Sequence, residues 1–182
     1  MKKIFNIFTL VAIAVMAFAS SSCEKQTEWG FKKIYMPQSI ITNKPDHEYP
    51  VPMTGQQDNN YSVDNGKLKV FLGVYRSGQG DLQSFSVDVY YDEDASAAAA
   101  KAADRVALQK DAFELPAQVN VPDGSRQNTF YLTVDLDKIK AEHPEYKDKK
   151  MIVVVGIRNP TKFELNEDIC KTIVVIDGSK FI

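Results

Sequence analysis

Cys23 stands directly behind Ser20-Ser21-Ser22, at the end of a leader that begins with Lys2 and Lys3 and continues through the apolar run Leu10 to Ala19. A thiol placed behind small residues in this setting is suited to accept a diacylglyceryl group and become the mature N-terminus. The apolar run is too short to cross a bilayer as a helix, which makes the leader a secretory signal. The expected division is therefore a lipoprotein signal peptide at 1–22, a polar tether at 23–30 and one domain at 31–182. Ser20 occupies the place where such signals usually carry leucine, so an ordinary cut near Ala19 stays open. With two or three acyl chains, each buried methylene worth roughly 0.8 kcal/mol, attachment to the membrane would be effectively permanent. The expected location is the outer membrane, on the cell surface or the periplasmic face.

The remaining reactive side chains do not assemble into a catalytic pattern. His47 lies in a proline-rich stretch and His143 directly precedes Pro144, and neither has a Ser or Cys nucleophile context. No zinc-ligand spacing is recognisable, and Asp92-Glu93-Asp94 reads as helix-start acidity rather than a calcium cage. Asp135 and Asp137 share one strand face near its end and are expected to face solvent. A carboxylate pair for glycoside cleavage stays open, because its members need only meet in space. Cys170 opens an apolar strand and is expected to be a small buried hydrophobe. No enzyme, metal or cofactor is expected. Aromatic side chains at strand positions, Tyr75, Tyr90, Tyr91 and Tyr131, are the candidate ligand contacts; tyrosine is also ordinary in strands.

Charge narrows the partners. The chain has 22 basic and 24 acidic residues, and two of the basic ones, Lys2 and Lys3, leave with the leader. Nucleic acid needs a concentrated basic face, so it is not an expected partner.

The elements that must position these residues follow from periodicity. Leu68, Val70, Leu72 and Val74 alternate with polar or aromatic neighbours, as do Phe85, Val87 and Val89, and Phe130, Leu132 and Val134. Shorter strands are expected at 32–36 and at Val119 to Val121. Met151 to Ile157 is apolar on both faces through Val155, as in a central strand covered on both sides. The last strand is expected at Lys171 to Asp177. Asn43 to Gly66, with Pro45, Pro50 and Pro52, reads as long irregular surface. Ala95 to Lys110 is the one helix, with Asp94 or Ser96 as its cap.

About seven short strands separated by turns, with one alanine-rich helical insertion, specify an all-β, immunoglobulin-like sandwich of two sheets. The strands around Val70 and Leu132 should lie side by side, which brings Phe71, Tyr75 and Tyr131 together on an outward face. The small-sided helix is the expected cover for that patch.

The order Ile34-Tyr35-Met36-Pro37-Gln38, Glu114-Leu115-Pro116, Val121-Pro122-Asp123-Gly124, Tyr146 ahead of Ile152 to Ile157, and Phe163-Glu164-Leu165-Asn166 resembles domain of unknown function 1735. That domain occurs near the start of Bacteroidota lipoproteins, often ahead of chitinase-like glycosidase domains. The resemblance covers nearly all of the mature chain. It implies an exported β-sandwich accessory module in carbohydrate utilisation, with no catalytic residue assigned; this chain departs from many relatives by ending after that module, so any hydrolase is expected on a separate protein. The expected function is thus a non-catalytic lipoprotein whose partners are the membrane, through its lipid, and a glycan or a protein of a glycan-uptake system. The alternative is a structural or adhesive module that pairs through an exposed strand edge, for which the apolar last strand is the candidate.

Overall fold

A strand that is apolar on both sides must sit inside a sheet with a layer on each face, and Lys150–Arg158 (β10) does so. The computed structural model describes residues 32–55, 59–103 and 105–182. Cys23, the tether and the leader lie outside the described residues. The described residues contain twelve strands in two six-stranded sheets.

The first sheet runs Glu164–Leu165 (β11), Lys33–Tyr35 (β1), Lys67–Arg76 (β4), Gln127–Asp135 (β9) and Phe113–Glu114 (β7), with Tyr61–Asp64 (β3) also paired to β4. The second runs Glu48–Val51 (β2), Lys171–Asp177 (β12), β10, Phe85–Tyr91 (β5) and Gln118–Val121 (β8), with Val106–Ala107 (β6) beside β10. All seven strands expected from periodicity are present, and β4 does lie beside β9. The five additional strands, β2, β3, β6, β7 and β11, are two to four residues long. The pairs β1–β11, β2–β12 and β6–β10 are parallel, so the sheets are mixed.

Inward side chains of the long strands, among them Leu68, Leu72, Phe130, Leu132, Met151, Val153 and Ile176, form the core between the sheets. Arg76 ends this row on β4 and is fully buried. Its guanidinium lies 4.9 Å over the Phe163 ring, which packs edge-on against Phe85. Its nitrogens have no hydrogen-bond partner among the described residues, and desolvation lowers the pKa of the group. Cys170 is buried as expected, and burial raises its thiol pKa.

Several expectations need correction. The stretch 43–66 is not irregular throughout, because it contains β2 and β3. Pro50 is compatible with β2 because that strand is the edge of its sheet, where one side needs no N–H donor. Because β2 pairs with β12, the last strand is interior, flanked by β10 and β2, and offers no edge for strand addition.

The helix (α1) is shorter than expected, Glu93–Ala102, and its cap is Asp92, whose carboxylate accepts from Ala95 N at 3.0 Å. Ser96 has a different task. On one side of β10, β5 pairs from Val155 onward and β6 at Met151 and Ile152, leaving Val154 between them. Val154 N donates to Ser96 Oγ at 2.8 Å, and Val154 O accepts from Asp92 N at 3.0 Å. The helix start thus satisfies the gap in the ladder.

The helix also lies on the other sheet from the one expected. Ala95, Ala99 and Ala100 pack on Ile152, Val154, Ile173 and Val175, the outward side chains of β10 and β12. Because α1 follows β5 after a single residue, it must cover the sheet to which β5 belongs. The remaining α-helices among the described residues are short: Leu136–Glu142 (α2), capped by Asp135, and Gly178–Phe181 (α3).

Candidate functional site

α1 leaves the outward face of β4 and β9 uncovered. In register, Phe71 opposes Tyr131 and Tyr75 opposes Gln127. The Tyr131 ring packs edge-on against Phe71 at 5.6 Å and is 46% exposed, one of four exposed large apolar or aromatic residues among the described residues. Tyr75 instead packs on Tyr35 at 5.3 Å. It lies on β4 four residues from Phe71, opposite Gln127 rather than Tyr131, about 13 Å along the strand direction.

Beside Tyr131 the sandwich gapes. β7 pairs with β9 only at Phe113↔Val134 and Glu114↔Thr133, so the β9 edge beyond Thr133 has no strand neighbour there among the described residues. Between this edge and β8 lies an open groove of about 650 Å³, lined by Tyr131, Thr129, Thr133, Asn128, Asn120 and Gln118, with Glu114 as its acidic residue. Asn128 is fixed across it, its Nδ2 donating to Asn120 O at 2.7 Å while its Oδ1 accepts from Thr129 N at 2.8 Å. Asn120 Oδ1 accepts from Ser86 Oγ at 3.2 Å, and Gln118 Nε2 donates to Asp88 Oδ1 at 3.4 Å. A braced aromatic ring beside pinned amides and hydroxyls can hold a polar ligand that has one apolar face.

The four expected tyrosines do not form one cluster. Tyr75 and Tyr131 lie on the outer face of one sheet, and Tyr90 on that of the other, flat over Gly156; a Cβ there would come within 2.5 Å of the Tyr90 ring. Tyr91 is structural, packing on Phe113 at 5.0 Å and donating through its hydroxyl to Leu108 O at 3.1 Å. Burial raises the pKa of the Tyr90 and Tyr91 hydroxyls. Sequence reading missed Asn128, Thr129 and Thr133. The signal for the threonines was present, since they alternate with the buried residues of β9, but only the β7–β9 mismatch shows that their edge is open.

The chemical candidates are dispersed. His47 Nδ1 donates to Ser39 O at 2.9 Å, while its own carbonyl accepts from Ile173 N. His143 stacks on Tyr146 at 4.7 Å. Asp135 pairs with Lys67, which lowers its pKa, and Asp137 lies over Gly66 in α2. No group of three or more His, Cys, Asp or Glu that could hold a metal occurs among the described residues.

No family model matches the sequence, and no curated protein is similar to it in sequence. Solved structures do share the fold. A Bacteroides ovatus protein of unknown function covers 80% of this chain at 15% identity with a TM-score of 0.53, the chain spanning 46% of its length. A candidate carbohydrate binding protein from Bacteroides ovatus also covers 80%, at 9% identity and a TM-score of 0.53, the chain spanning 36% of it. A multidomain Bacteroides ovatus protein including domain of unknown function 1735 covers 71% at 16% identity, with a TM-score of 0.45 and 44% of its own length. The chain therefore spans less than half the length of these proteins. At such identities the likeness is one of fold, the all-β sandwich of Bacteroides proteins of unknown function or binding function.

Proposed function

We propose that this chain is a non-catalytic accessory module of glycan capture, anchored to the outer membrane through an acylated Cys23. The observation that carries the reading is the Tyr131 ring, braced by Phe71 and exposed at the rim of the amide- and hydroxyl-lined groove. Sugar rings offer an apolar face for such a platform and hydroxyls for Asn128, Thr129 and Thr133. The Bacteroides ovatus candidate carbohydrate binding protein of the same fold supports the ligand class. Glycoside cleavage uses two carboxyl groups about 5 to 9.5 Å apart. The groove is lined by a single one, Glu114, among the described residues, which supports a binding role.

Glycan arrays followed by calorimetry test the reading. Binding that falls at least about tenfold, about 1.4 kcal/mol, in Tyr131→Ala is the expected result. Absence of binding to any plant or host polysaccharide overturns it. Radiolabelled palmitate should appear on the wild-type chain and not on Cys23→Ala.

A further inference from the structure

A second groove lies across Leu115-Pro116 from the first, since these two residues line both. It forms where β8 stops at Gln118 and leaves the last residues of β5 without a strand neighbour on that side. Its volume is about 470 Å³; Tyr90, Tyr91 and Phe113 supply its aromatic wall, and Lys110 and Arg158 are its charged residues.

Lys33, Lys67, Arg105, Lys138 and Lys171 each pair with a carboxylate, whereas neither Lys110 nor Arg158 has an ion pair among the described residues. The Arg158 guanidinium sits 4.9 Å over the Tyr90 ring, which Gly156 lets lie flat. Lys171 Nζ is 6.0 Å from the same ring but is tied to Asp92 at 2.8 Å. Asp88 is the carboxylate facing Arg158 in register; its oxygens already accept from Asn159 at 2.9 Å and Gln118 at 3.4 Å. Asp111, next to Lys110, is paired with Lys138. In a chain with an acidic excess, this groove is a local reversal of charge.

We infer that the two grooves form one binding surface and that the second takes a carboxylated sugar residue, so that the ligand is an acidic, uronate-bearing oligosaccharide lying over Leu115-Pro116. This rests on the glycan-binding reading of the Tyr131 groove. Arg158 and Lys110 supply charge-assisted hydrogen bonds to the carboxylate, the guanidinium being pre-oriented on Tyr90. Tyr90 and Tyr131 then serve two positions of one ligand, though they sit on different sheets.

The test is calorimetry on the full chain in detergent with oligogalacturonate, oligomannuronate, hyaluronan and chondroitin oligosaccharides, each beside its carboxyl-reduced neutral form. At least one acidic probe should bind and weaken about tenfold or more on carboxyl reduction, on Arg158→Gln and on Lys110→Gln, and its affinity should fall as salt rises. Tyr131→Ala should weaken acidic and reduced forms alike. Unchanged urea midpoints establish that the variants fold, and Lys110→Gln, at an exposed position, decides alone if Arg158→Gln does not fold. Equal binding of acidic and reduced forms, or affinity indifferent to Lys110 and Arg158, overturns the inference and leaves the Tyr131 reading standing. Binding by neutral glycans alone does the same. No binding to any glycan overturns both.

Discussion

The outward side chains of β10 and β12, namely Ile152, Val154, Ile173 and Val175, lie beneath α1, whereas those of β4 and β9, namely Phe71, Tyr75 and Tyr131, face water. The aliphatic face has no polar atoms to offer solvent, and burying each of its side chains is worth on the order of 1.5–3 kcal/mol. That gain lets an alanine helix form although alanines bury little and the isolated segment would be marginal. The aromatic face needs no such cover. Its rings pack in pairs, Phe71 edge-on with Tyr131 and Tyr75 tilted on Tyr35, and the tyrosines carry a polar hydroxyl, so the face can stay open at little cost. One face is therefore finished for stability and the other is left for contact.

The contrast can be broken most severely at Ala100, which is 5% exposed against the sheet. Ala100→Glu places a charge there and should cost about 3 kcal/mol or unfold the domain, whereas Ala98→Glu, on the exposed side of the helix, should stay within about 0.5 kcal/mol. Urea denaturation of the pair decides whether α1 is a structural cover. Next in size is Ser96→Ala, which strips the buried Val154 N–H of its acceptor and should cost about 1–3 kcal/mol. Equal stability to wild type would mean that the gap in the ladder is filled some other way. On the open face, Tyr131→Ala should cost less than about 1 kcal/mol of stability while removing glycan binding, and Tyr75→Ala should leave binding intact because Tyr75 packs on Tyr35 outside the groove.

The smallest effect is acidic. Asp92 near the covered face is held low by Lys171, and Asp135 on β9 by Lys67. A carboxyl whose folded pKa lies below its unfolded value of about 3.9 contributes fully above that value and loses its contribution as pH falls through the folded one. The urea midpoint should therefore be flat from neutrality to about pH 4 and decline below it. A decline already near pH 6 would point to a group other than these carboxylates.

The seven expected strands were legible because each alternates or is apolar throughout, and the two-sided apolarity of β10 announced that its sheet must be covered. The helix was legible from alanine content and acidic start, but not its seat. Assigning it to the aromatic patch ignored that Ile152 and Val154 needed a cover more. β2 was illegible because Pro50 and Pro52 argue against a strand, and only the neighbouring β12 supplies a setting in which an edge strand tolerates proline. Lys110, Arg158 and Asn128 carried no signal at all, being ordinary polar residues in the chain.

What the amino-acid order determined by itself is which residues avoid water, through the period of each strand and the small face of the helix, together with the acidic stretch at which that helix begins. Which surfaces then meet was decided in three dimensions. The placing of Leu115-Pro116 between an amide- and hydroxyl-lined groove with one carboxylate and a cationic one depends on β7 stopping after Glu114 and β8 beginning at Gln118. Burial is a property of local pattern, whereas adjacency follows from how strands far apart in the chain close into sheets.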